Sequence, residues 1–165
     1  MSDVFSKAKR SEVMSLIRSR GNKATELEFM KLLRRHQISG WRRHLPLKLG
    51  ETRMATYSCG KRRTVVKPDF VFRGPRVAVF IDGCFWHGCP LHGTKPAGNA
   101  EFWRTKLTDN RARDRLVTKM LRRRKWTVLR IWEHQLRQGD RIVALVRSRI
   151  VAPKGTESSS KPWNL

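Results

Sequence analysis

Apolar residues recur along this chain in two rhythms. Spacings of three and four mark helices, and short runs rich in Val, Ile and Phe mark strands. The first predicted helix runs from Lys7 to about Arg20, capped by Ser6 and ended by Gly21, with Val13, Met14, Leu16 and Ile17 as its apolar patch. The second starts at Thr25, which stands three residues before Glu28 in a capping-box pattern, and carries Leu27, Met30 and Leu33 through about Gln37. A long third helix spans about Asn99 to Arg124, with Trp103, Leu107, Leu116, Val117, Met120 and Leu121 set among many Arg. The last covers about Asp140 to Ile150 through Ile142, Val143, Leu145, Val146 and Ile150.

Strand patterns cluster in the middle. Asp69 to Phe72 and Arg76 to Ile81 flank the turn Arg73-Gly74-Pro75 and read as a hairpin. Thr127 to Trp132 is a further β-rich run. Between Trp41 and Lys67 the pattern blurs. Leu45, Leu47 and Leu49 alternate there, but Gly50, Gly60 and Lys61-Arg62-Arg63 leave a hairpin and a loop equally open, so the stretch reads as an insertion. The element order predicts an α/β fold, a small mixed sheet flanked by helices.

Charge then selects the partner. Lys and Arg number 37 against 13 Asp and Glu, a net +24 in 165 residues, with a pI near 11.6. Self-repulsion on that scale calls for a polyanion. Six Trp are more than a plain basic coat protein needs, although that reading fits the charge. Three cysteines are too few, and odd in number, for a disulfide framework. No apolar run is long enough for a membrane span, and no secretory signal is expected at the start, so a cytoplasmic, nucleoid-associated protein is expected.

Cys84, Cys89 and His92 form C-x4-C-x2-H behind the predicted strand that ends near Asp82. Thiolates and imidazoles suit zinc, and a closed structural site needs four of them. His134 supplies the fourth if the strands before Cys84 and before His134 are neighbours. Buried cysteines with loop histidines are the plainer alternative. Cys59 has no partner nearby in sequence. Phe85 and Trp86 either pack under the loop or face DNA, where an apolar wedge can unstack a base step.

Carboxylates are scarce, so Asp69 at a strand start, Glu26 on the second helix and Asp114 within the Arg-rich helix stand out. Near a phosphate such groups suit a divalent cation. The plainer alternatives are that Asp114 pairs with Arg111 or Arg113 and that Glu26 favours a helix N-terminus.

The motifs Pro68-Asp69-Phe70-Val71-Phe72, Gly83-Cys84-Phe85-Trp86-His87-Gly88-Cys89-Pro90-Leu91-His92-Gly93, Asn99 with Phe102-Trp103 and Lys106, and Trp132-Glu133-His134 resemble the very short patch repair endonucleases, which nick DNA at mismatches. The resemblance spans roughly residues 6 to 150. It implies a PD-(D/E)xK-nuclease-like fold, with residues 1–20 as a basic helical arm, 21–152 as the endonuclease domain with an insertion at about 45–66, and 153–165 as a flexible tail. It implies Mg²⁺ on Asp69 and the backbone carbonyl of Ile81. His87 would be the general base or acid, and Glu26 and Asp114 would hold metal-bound waters or orient His87. A structural zinc would sit on Cys84, Cys89, His92 and His134, and Phe85, Trp86 and Trp103 would intercalate. Mismatched double-stranded DNA is the implied partner of a monomer, with other repair proteins as further partners.

Two departures stand out. The stretch from about Leu45 to Val66 is longer than in familiar members, and Ile81-Asp82 replaces the Thr-His pair before the zinc-loop glycine. Asp82 is expected either to add a metal ligand or to be solvated.

Overall fold

The computed structural model describes residues 25–52, 62–93 and 99–151. The predicted first helix, the tail beyond residue 152 and Cys59 lie outside the described residues.

A helix over residues 25–35 (α1) opens the described chain, and β1 (Trp41–Arg43), β2 (Leu47–Thr52), β3 (Arg62–Val66), β4 (Phe70–Phe72) and β5 (Val77–Asp82) follow. The 24-residue α2 (Ala100–Arg123) then leads to β6 (Thr127–Trp132), a 3-10 turn over Glu133–Arg137 and α3 (Gly139–Val151). The main sheet has the order β1-β4-β5-β6. Its first three strands are antiparallel neighbours, and β5 pairs with β6 in parallel. The expected small mixed sheet flanked by helices is therefore present, with one strand more than predicted. That strand, β1, has only three residues, two of them Arg, so it carries little apolar signal. Trp41 reveals it, packing edge-on against Phe70 at 5.4 Å between ring centroids.

Strand alternation sorts the core into two layers. Phe70, Phe72, Val77, Val79, Leu129 and Ile131 point to one face, where Phe29 and Leu33 of α1 and Ile142, Val143 and Val146 of α3 cover them. Ala78 and Val128 point to the other face, against Val117 and Leu121 of α2. The same parity puts Phe80 and Arg130, partners in the β5–β6 register, on the α2 side, with Asp82 two residues beyond Phe80. A charged side chain inside an otherwise apolar strand is thus aimed at the helix.

The blurred stretch is a two-stranded antiparallel sheet, β2 with β3. Leu47, Leu49 and Val66 pack it onto the α2 side of the core. A bulge lies between Lys48 and Glu51, where Gly50 takes a left-handed φ of +79° and a side chain would strike the Arg124 guanidinium at 2.7 Å. That same guanidinium donates to the Lys48 carbonyl at 3.0 Å, fastening the ribbon to the end of α2. The alternating leucines were the ribbon's sequence signal, and the bulge is what blurred it.

No described helix is long and apolar enough to cross a membrane. Leu121, fully buried between α2 and the sheet, is a stringent probe of this layer. Leu121→Ala is expected to cost about 2–5 kcal/mol, measured by denaturant titration as a lower midpoint with an unchanged slope.

Candidate active site and metal-binding groups

Parallel pairing of β5 with β6 brings their C-terminal ends side by side, with Asp82 opposite Trp132. The loop leaving β5 and the turn leaving β6 consequently meet. Cys84 N–H donates to Glu133 Oε1 at 2.9 Å, which fixes the start of the loop. The loop then closes on itself, as Cys89 N–H donates to the Cys84 carbonyl at 2.8 Å and His87 N–H to the Gly83 carbonyl at 3.1 Å. Gly88 turns the chain between His87 and Cys89 with φ +63°, a conformation that favours glycine.

This closure gathers Cys84, Cys89, His92 and His134, whose ligand atoms lie within 4.8 Å of one another. His134 Nδ1 is 3.1 Å from Cys84 Sγ and 3.7 Å from Cys89 Sγ, and His92 Nδ1 is 4.0 Å from Cys89 Sγ. Bonds of about 2.0–2.3 Å in a tetrahedron put N and S donors roughly 3.3–3.8 Å apart; the three distances straddle that range, so the four donors suit one ion of that kind after small shifts. Burial pushes the Cys84 thiol up to about 12, with Cys89 beside it adding to the rise. A cation is what would reverse that and hold the sulfur as thiolate. His134 moves the other way, its pKa lowered by burial and by the charge of His92.

Two further groups of donors lie at the same end of the sheet. The first joins Glu26, His44 and Asp69. Asp69, immediately before β4, accepts the Ile81 N–H at 2.7 Å, so this carboxylate stands against the residue whose carbonyl was expected to contact the metal. Glu26, only 6% exposed, bonds His44 Nε2 at 2.9 Å and pairs with Arg43. Burial pushes the Asp69 carboxyl up to about 6. Glu26 and Asp82 raise it further, while the Ile81 N–H and His44 work in the opposite direction.

The second group joins Asp82, His87 and Asp114. His87 Nδ1 lies 2.5 Å from Asp114 Oδ2 and 3.7 Å from Asp82 Oδ1. Arg130 reaches both acids, bidentate to Asp82 at 2.6 Å for each bond and 3.0 Å from Asp114 Oδ1. Burial acts to lower the His87 pKa, but the Asp114 hydrogen bond and the charges of Asp82 and Asp114 outweigh it and raise the value. Burial acts to raise Asp114, yet His87 and Arg130 together hold it below the usual carboxylate range. Arg130 also resists its own burial, raised chiefly by Asp82.

The reading of Asp114 as a partner of Arg111 or Arg113 is corrected, because its partners are His87 and Arg130. Asp82 is not solvated. It is 4% exposed and committed to Arg130, so a cation there would compete with a guanidinium already in place. Asp82 is also the residue that Asp69 and His87 share, raising the pKa of both.

Phe85, Trp86 and Trp103 form one aromatic cluster, with centroids 5.0 Å, 5.2 Å and 6.0 Å apart, at the junction of the loop and the first turn of α2. They pack on one another and are half-buried. Phe102 extends the cluster outward from Trp103 at 5.3 Å and is 59% exposed. Sequence reasoning assigned no role to His44, Arg43 or Arg130. For Arg130 a signal existed, a charge within the apolar run of β6. His44 sits in the blurred stretch and had none.

The family model for "DNA mismatch endonuclease Vsr" matches residues 49–92. The type II nicking enzyme V.NmeAIP of Neisseria meningitidis serogroup A is 33% identical over 152 residues, 89% of this chain and 96% of that protein. The chain belongs to the Vsr endonuclease family. Within the family, the type II nicking enzyme V.NaeI of Lentzea aerocolonigenes is 47% identical over 96 residues, 58% of this chain and 57% of that protein. The DNA mismatch endonuclease Vsr of Escherichia coli K12 is 39% identical over 77 residues, 46% of this chain and 49% of that protein. The chain thus spans little more than half the length of V.NaeI. The match to the Vsr model runs from the β2–β3 ribbon through His92.

Asp114→Asn removes the carboxylate charge that helps hold the His87 pKa up, leaving an amide oxygen as acceptor and Asp82 as the remaining acid against burial. The titration midpoint of the His87 ring, followed by NMR, is expected to fall below the wild-type value. In the wild type His87 is raised, so its contribution to stability is complete below the ordinary histidine range near about 6.5 and is lost as pH rises through the raised value. The Asp114 contribution is present above about 3.9 and is lost as pH falls through its lowered value. Urea titrations across pH are expected to show both edges flattened in the variant.

Proposed function

We infer that the protein is a divalent-cation-dependent endonuclease that nicks one strand of duplex DNA beside a T:G mispair. The observation carrying this reading is that a half-buried carboxylate, Asp69, accepts the Ile81 N–H at 2.7 Å while an oriented imidazole, His87, stands 3.7 Å from Asp82, the next residue of β5, at one end of the sheet. A plain DNA-coating protein gains nothing from burying acids beside a phosphate. An α/β layer order with Asp69 at the head of β4 also suits the PD-(D/E)xK-nuclease reading.

Asp69, with the neighbouring Glu26 and His44 and the Ile81 carbonyl, would hold Mg²⁺. Bound there, the ion would offset charge on the phosphate and stabilise attacking and leaving oxygens. The chain's own residues do the rest. His87 commits Nδ1 to Asp114, which leaves Nε2 to take the proton from the water that attacks phosphorus. Asp114 and Arg130 fix the ring's direction, and Glu26 supports the Asp69 side. Cys84, Cys89, His92 and His134 would hold a structural zinc that keeps His87 in place. The donor set and its spacing support zinc over a hard cation. Phe85, Trp86 and Trp103, with Phe102, offer an apolar edge to a mispair, where unstacking costs least. A monomer suits so asymmetric a target.

A second reading keeps the reaction and changes the target. Relatives at 47% and 33% identity are named type II nicking enzymes. The β2–β3 ribbon, which falls in the stretch read as an insertion, is where a different base sequence would be read.

Asp69→Asn is expected to abolish nicking of a T:G duplex while leaving affinity within about tenfold, and EDTA is expected to do the same to the wild type. A library carrying every mispair separates the two targets. Cutting confined to T:G supports the first, and cutting of fully paired sites supports the second.

Cys89→Ser is expected to lose bound zinc by elemental analysis and to lower the unfolding midpoint by more than roughly 5 °C, at about 2–4 °C per kcal/mol for this size. An unchanged metal content would remove zinc from the reading.

A further inference from the structure

Beyond the reactive cluster, on the far side of Arg130, lies a shallow, open cavity of about 500 Å³. The outer face of α2 lines it with Arg115, Thr118, Lys119, Arg122 and Arg123, and β6 contributes Arg130. The spacing explains the gathering. Positions 115, 118, 119, 122 and 123 recur at three and four and share a helix face, while Val117 and Leu121 on the adjacent face are buried against the sheet. Asp114 stands at the margin, the only acid among the lining residues, and its carboxylate is already taken by His87 and Arg130.

Two features separate this hollow from the general basicity of the surface. Among the described residues, none of Arg115, Lys119, Arg122 and Arg123 has an acidic partner, so their charges converge uncompensated on a concave surface, where a field is strongest. Thr118 Oγ1 is buried there without a hydrogen-bond partner. Buried hydroxyls are ordinarily satisfied, and one that is not calls for an explanation. An anion with several acceptor oxygens, able to take hydrogen bonds from guanidinium, ammonium and hydroxyl together, meets both features.

We propose that this cavity is a second phosphate-binding site, which holds a backbone phosphate of the DNA flanking the one that is cut. The proposal rests on the nuclease reading and extends it. Asp114 and Arg130 belong to both the cavity and the His87 cluster, so a strand lying across one runs directly into the other. Arg130 then serves as the partition. Its charge is spent on Asp82 and Asp114, and the four unpaired cations of α2 are left for the phosphate. Such a contact carries no base information and sets register.

Binding of the full chain to a T:G duplex in EDTA, where nothing is cut, tests this apart from catalysis. Lys119→Gln with Arg122→Gln is expected to weaken binding about tenfold or more and to reduce the slope of log affinity against log salt by about 0.9 for one phosphate. Arg141→Gln, on α3 across the sheet, is the control and is expected to change neither. Neutral methylphosphonates placed one at a time along each strand then locate the contact. At one position close to the nick, the loss seen with wild type is expected to vanish in the double variant. A loss no greater than the control's, or methylphosphonate losses identical in both proteins at every position, overturns the proposal. Failure of wild type to nick with Mg²⁺ would instead overturn the nuclease reading, because the affinity measurements do not depend on cleavage.

Discussion

The parallel ladder between β5 and β6 sets where every reactive group stands. Parallel neighbours finish at the same edge, so the chain must leave both strands side by side. The return from β5 to β6 takes the Cys84 loop and all of α2, and these two segments supply most of the chemistry: the thiols, His87, the aromatic cluster and Asp114. Had β6 run antiparallel to β5, His134 would lie a strand's length from Cys84. The Glu133 carboxylate on the Cys84 amide and the gathered Cys and His donors stitch that shared edge.

Charge is the second constraint. A chain of net +24 that keeps several carboxylates largely out of water needs partners to hold their charge. Asp82 has a bidentate guanidinium, Asp114 has imidazole and guanidinium, and Glu26 has Arg43 and His44. Among the described residues Asp69 has only a backbone N–H as a direct donor, which does not offset burial, so its proton affinity rises. The difference singles out Asp69 as the carboxylate with electrostatic demand left over, which is the condition for recruiting a divalent cation.

Much of this was legible from residue order, for definite reasons. C-x4-C-x2-H after one strand pattern and His134 after another converge as soon as the two strands are neighbours, and they are. The long amphipathic helix, the Phe70–Asp82 hairpin and α3 followed from periodicity. What escaped was decided by tertiary register. Trp41–Arg43 is too short and too basic to look like a strand. The bulge at Gly50 breaks the alternation that would have identified the ribbon. Arg130 interrupts β6, and its meaning depends on Asp82 two residues beyond its ladder partner Phe80, which no local window contains. His44 joins Glu26 only because β1 lies along β4.

The Asp82–Arg130 pair has a consequence for how such a site can diverge. Two opposite charges buried together are tolerated as a unit, but removing the guanidinium strands Asp82 in a low-dielectric interior, at about 3–5 kcal/mol. Without Asp82, Arg130 would still have Asp114 beside it, whereas without Arg130 the nearly buried Asp82 would lose both bonds of its bidentate partner. The two positions are therefore unequal: a neutral side chain at position 82 is the more easily tolerated first step, and loss of the guanidinium at position 130 the costlier one.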